Sequence, residues 1–194
     1  MGMQLQRHSV VVGILHAVLV AVLCLVVPQA SAAANPSLVS TTQLRVDVAR
    51  ELAAVALSSC ARHGSDVSVS VVDPHGQLQV FFRADTAAPH TAELSEHKAY
   101  TAVSLAALQG LHTTSELADA MHQSKAPVGL LSLPADSVRA ITPVPGGVVL
   151  RQGDQLVGAL GVSGARTGQA DEQCALAAET WLIQLLEAPS DDGV

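Results

Sequence analysis

At 194 residues and 19.9 kDa the chain has room for one ordinary domain. Hydrophobic residues make up 49% of it and charged residues 14%, with a mean hydropathy of +0.37, which excludes a disordered chain. A formal net charge of −7, with 10 Lys and Arg scattered among 17 Asp and Glu and only 2% aromatic residues, argues against a surface for nucleic acid.

Arg7 and His8 precede an apolar run from Val10 to Val27, which ends at Pro28 and then Ala30, Ser31 and Ala32. A basic start, an apolar middle and small residues spaced one apart predict a secretory signal over 1–32, cleaved after Ala32. An uncleaved anchor is the rival, since about eighteen apolar residues just reach across a bilayer. Cleavage leaves Cys60 and Cys174. In an oxidising compartment this pair is expected to form a disulfide, with two buried free thiols as the alternative. The domain is expected over 33–188, followed by a disordered tail over 189–194.

Ser40 with Gln43 reads as a capping box, and Leu44, Val48, Leu52 and Val55 then recur at helical spacing up to His63 and Gly64. The adjoining face carries Ala49, Ala53, Ala56 and Cys60, small side chains that let another backbone come close. Val67, Val69 and Val71 alternate with Ser68 and Ser70, Asp73 to Gly76 is a turn, and Gln77 to Arg83 is again extended, which predicts a hairpin.

A second helix is expected from Thr91 to Gln109, and a short third one, capped by Thr113 and Glu116, over 115–122. Residues 124–147 hold Pro127, Pro134, Pro143 and Pro145 and predict a loop with a short turn or strand. Val148 to Leu150 and Leu156 to Val162 form a glycine-rich second hairpin, and the last helix spans Gly168 to Glu187. The order α-β-β-α-α-β-β-α is that of an α+β domain with an antiparallel sheet.

On the second helix, Leu94, Ala102, Leu105 and Leu108 share an apolar stripe into which Lys98 and Thr101 fall. An ammonium there must either snorkel outward or meet an anion, supplied by the protein or by a guest. Glu93, Glu96, His97, Tyr100 and Ser104 occupy the adjacent face. Glu93 and His97 are four apart and able to share a cation, so Glu93, Glu96 and His97 form a candidate iron or other metal site, with solvated charges as the simpler alternative. His90, His112 and His122 lack the spacing of a zinc motif, and Gly158 to Gly164 lacks that of a nucleotide-binding loop, so its glycines predict close packing or the close approach of a ligand against the sheet.

The sequence resembles the GlcG/HbpS family, the DUF336 domain that also ends some PduO-type cobalamin adenosyltransferases. The resemblance is carried by Val69 to Asp73 with Gly76 to Leu78; by Arg83 to Asp85; by Lys98 to Ala102; and by Gly153-Asp154, Leu156 to Gly164 and Asp171 to Ala175. It implies a profilin-like sandwich with a sheet of about five strands, a homo-oligomeric habit, and a small-molecule ligand that in several members is haem. It further implies an exported haem binder with a possible sensor-kinase or membrane partner, more a binding protein than an enzyme. A haem degrader and a binder of another acidic metabolite are the alternatives.

Arg83, Lys98 and Thr101 match motif positions of the family. A haem site needs an apolar slot, a cation for the propionates and an axial donor. Arg83 and Lys98 are candidates for the second, and His97, Tyr100 or Thr101 for the third. Gly146 to Val149 lacks the proline common before the family's second hairpin.

Overall fold

The computed structural model describes Ser37, residues 39–123 and residues 141–188. The signal segment at 1–32, the proline-rich stretch over 124–140 and the tail at 189–194 lie outside the described residues. The folded body begins at Thr41.

Helix α1 runs from Val46 to Arg62, strands β1 and β2 span Ser68–Val72 and Leu78–Arg83, and α2 covers Thr91–Thr101. A π-helical turn at Ala102–Ala106 extends α2 and is followed by α3 at Thr114–His122. Strands β3 (Gly147–Gln152) and β4 (Gln155–Ser163) precede α4 at Gly168–Glu187. The strands form one four-stranded antiparallel sheet in the order β2-β1-β4-β3. Among the described residues the sheet has four strands, against the five or so implied by the resemblance, and an isolated bridge joins Thr113 to Val148. Among the described residues no helix is long and apolar enough to cross a membrane.

Strand alternation sorts the side chains into two layers. Val69, Val71, Val80, Val148, Leu150, Leu160 and Val162 pack with α1 and α4 on one face. Ala49, Ala53 and Ala56 of α1 are fully buried beside Ala175 and Ala178 of α4, so the strip of small residues forms the helix–helix seam. There Cys60 and Cys174 form the expected disulfide, with Cα atoms 5.5 Å apart. The other face carries α2 and α3 over Val72, Val149 and Ala159. Its buried serines are satisfied by α2, since Ser68 pairs with Thr91 and Ser70 with Ser95, each at 2.8 Å.

Two expectations are corrected. Helix α1 starts at Val46, because Leu44 is buried with its carbonyl accepting from Gln79, and Asp47 takes the first-turn amide of Val48 in place of the Ser40 box. The apolar stripe of α2 does not run through to Leu108, which is 79% exposed. The π-turn adds one residue to the helical register and rotates everything after it by about 100°. Lys98, Thr101, Ala102 and Leu105 of that stripe are buried as expected, and Ser95 and Ala99 face inward beside them. Gly161 allows this close seating, since a methyl there would overlap the Ser95 carbonyl oxygen and lie 2.6 Å from the Ala99 nitrogen.

Candidate functional site

Lys98 is 1% exposed, and its ammonium donates to Asp171 Oδ2 at 2.7 Å and to the Val162 carbonyl at 2.9 Å. The sequence left open whether an internal carboxylate or a guest supplies the anion. It is Asp171, from the first turn of α4. Asp171 Oδ1 also accepts from the Ala165 amide at 2.8 Å. Burial pushes this carboxyl above its ordinary range, against the hydrogen bond and charge of Lys98 that pull it down. Gly146 approaches closely enough that a Cβ there would lie 2.8 Å from Lys98 Nζ. The rim without the family's proline is therefore wrapped around this pair.

Thr101 is committed in the same way. Its hydroxyl donates to the His97 carbonyl at 2.7 Å and accepts from the Thr142 amide at 2.8 Å. Glu172 continues the bracing by accepting from the Gly146 amide at 3.2 Å and from the amide and hydroxyl of Ser115. The inward motif residues thus join α2, α3 and α4 around the end of β4.

The other candidates lie further out. Helix α2 packs over β1, β4 and β3, so the side of the edge strand β2 that carries Phe81 and Arg83 stays open, with Phe81 40% exposed. Arg83 turns its guanidinium onto the Ala87 carbonyl, through Nε at 3.1 Å and through Nη2. Tyr100 lies against the β1–β2 turn, where a Cβ on Gly76 would be 2.8 Å from its ring.

With about 100° between successive helical residues, Glu96 shares the Tyr100 flank, while His97 turns towards the Thr101 side. Phe81 and Arg83 thus line an open shelf along β2, Tyr100 lies by the turn at its far end, and His97 leaves α2 only about 60° from Tyr100. Glu93 and His97 lie on the outer side of α2, but among the described residues no three His, Cys, Asp or Glu side chains are arranged to hold a metal ion.

A cleft of about 340 Å³ lies elsewhere, lined by His112, Val149, Arg151, Glu179, Ile183 and Leu186 among others. His112 Nε2 and Glu179 Oε1 are 2.8 Å apart within it. The sequence offers no local signal for this pair, whose members are 67 positions apart and meet only when β3 draws α4 alongside the α2–α3 connection.

The model of a family described as "Haem degrading protein HbpS-like" matches residues 44–179. A Streptomyces reticuli HbpS variant with two Glu-to-Asp substitutions is 31% identical over 78% of this chain and 94% of its own, with a TM-score of 0.65. Klebsiella pneumoniae ORFY, of the DUF336 family, is 26% identical over 80% of this chain and 98% of its own, with a TM-score of 0.64. A PduOC:haem complex is 28% identical over 72% of this chain and 94% of its own, with a TM-score of 0.60. A search of curated proteins gave no match.

Proposed function

Because this chain belongs to the HbpS-like family, we propose that it is a haem-binding protein that works outside the cytoplasm. The observation that carries the reading is the likeness to PduOC, a protein seen in complex with haem, over 72% of the chain. Export is supported by the signal-like segment at 1–32 and by the Cys60–Cys174 disulfide. A homo-oligomer, with a sensor kinase or a membrane component as partner, belongs to the same reading.

In this reading haem lies along the shelf beside β2. Phe81 offers an apolar surface, Arg83 a cation for a propionate, and Tyr100 a phenol as axial donor. Lys98 and Thr101 hold α2 in place behind it. Bound haem would supply a redox-active iron.

The description of the family as haem-degrading favours a second reading, in which bound haem is consumed. Hemin titrated into the mature chain separates the two. Binding gives a saturable Soret shift that persists under a reductant, whereas degradation bleaches the band and releases iron. No spectral change removes both readings and leaves a binder of another acidic metabolite.

A further inference from the structure

The α2–α3 connection is fastened to its surroundings at His112 by backbone and side chain alike. The His112 amide donates to Glu116 Oε2 at 2.7 Å, and its carbonyl accepts from the Val149 amide at 2.9 Å on the outer edge of β3. The side chain reaches α4, where Nε2 meets Glu179 Oε1 at 2.8 Å. One residue therefore ties together α3, the edge strand and the last helix, and it walls the 340 Å³ cleft between them. His112 is 46% exposed and Glu179 12%, so the imidazole is open to solvent protons while its partner is held in the protein.

We propose that the His112–Glu179 pair is a proton-operated latch on this cleft: protonated, it clamps the α2–α3 connection against α4, and deprotonated, it lets the connection and the outer edge of β3 loosen. The charged groups around the imidazole agree with this direction. Glu116 of α3 and Glu172 and Glu179 of α4 all favour the imidazolium. Glu187 of α4 adds a further carboxylate to the cleft, and Arg151 of β3 is the opposing cation. Arg151 is turned towards the backbone carbonyls of Asp154 and Ala107.

The hydrogen bond to Glu179 is the largest influence and holds His112 above the ordinary imidazole range, more than offsetting its partial burial. A group raised on folding contributes its full stabilisation below its unfolded value, near 6.5, and loses it as pH rises through the folded value. The latch is thus closed in mildly acidic surroundings and open in alkaline ones. It stands apart from the shelf beside β2 and does not depend on haem.

The test is hydrogen exchange of the Val149 and His112 amides in the full chain at pH 6 and pH 8.5, corrected for intrinsic rates, together with an NMR titration of His112. Protection should fall about twofold to fivefold at the higher pH, the range given by a partly exposed charge pair. Glu179→Gln should lower the His112 pKa and flatten that pH dependence while the chain stays folded, and His112→Asn should do the same for protection. A His112 pKa at or below the ordinary value, or amide protection equally insensitive to pH in wild type and Glu179→Gln, overturns the latch.

Discussion

Lys98 of α2 and Asp171 of α4 meet at 2.7 Å behind the end of β4, almost wholly out of water, although 73 positions separate them in the chain. Helices on opposite faces of the sheet are thereby joined by one ion pair. Removing one member leaves a buried charge with no counter-ion, a change that costs about 3–5 kcal/mol in comparable sites. Lys98→Met should destabilise the chain by this amount in urea unfolding, and Lys98→Met with Asp171→Leu should recover most of the loss. A Lys98→Met chain as stable as wild type would mean that the pair carries no structural load.

The Cys60–Cys174 bridge spans 114 positions, and a loop of that size restricts the unfolded chain strongly. Replacing both cysteines by Ala should cost about 2–5 kcal/mol, seen as an earlier unfolding midpoint in denaturant. The same treatment with a reductant should move the wild type towards the variant and leave the variant unchanged.

Gly161→Ala tests the seating of α2. Its φ is not the obstacle, because the clash is with the Ser95 carbonyl and the Ala99 amide. Lifting α2 from the sheet would strain the Ser70–Ser95 and Lys98 contacts together, so the substitution should cost about 1–3 kcal/mol and lower the melting temperature by several degrees. An equal substitution at Gly153, where a Cβ meets open space but φ is +56°, reports the backbone cost of losing glycine in the left-handed region rather than a clash.

For haem, Arg83→Gln should weaken hemin affinity about tenfold, the range for losing one charge-assisted hydrogen bond, without altering the fold of an exposed strand end. Tyr100→Phe should shift the Soret band if the phenol is the axial donor. His97→Ala should leave the band in place if Tyr100, about 60° around α2 from it, is the donor. A spectrum lost with His97→Ala and kept with Tyr100→Phe would make His97 the donor in its place.

Periodicity and capping made most of the fold legible. Helix α4 appears at Gly168–Glu187 as read, and Thr113 caps α3 by accepting from the Glu116 amide at 3.2 Å. The strip of alanines in α1 and the glycines of β4 also pack as their size dictates. The π-turn was not legible, because Ala102 to Ala106 would serve equally well in an unbroken helix. The burial of Lys98 could be read from its place on the helix, but the identity of its counter-ion could not, because Asp171 also suits an ordinary first-turn position.

Within a turn and a half, α4 carries the counter-ion of Lys98, the carboxylate that secures Ser115 and Gly146, and one half of the disulfide. Everything these groups secure is encoded upstream of them. During synthesis the sheet and its three earlier helices therefore emerge with an unneutralised ammonium and an unpaired thiol, and they can close only after the last helix arrives. A ribosome-bound nascent chain stopped before Gly168 should accordingly remain sensitive to protease, its tertiary structure waiting for the final segment.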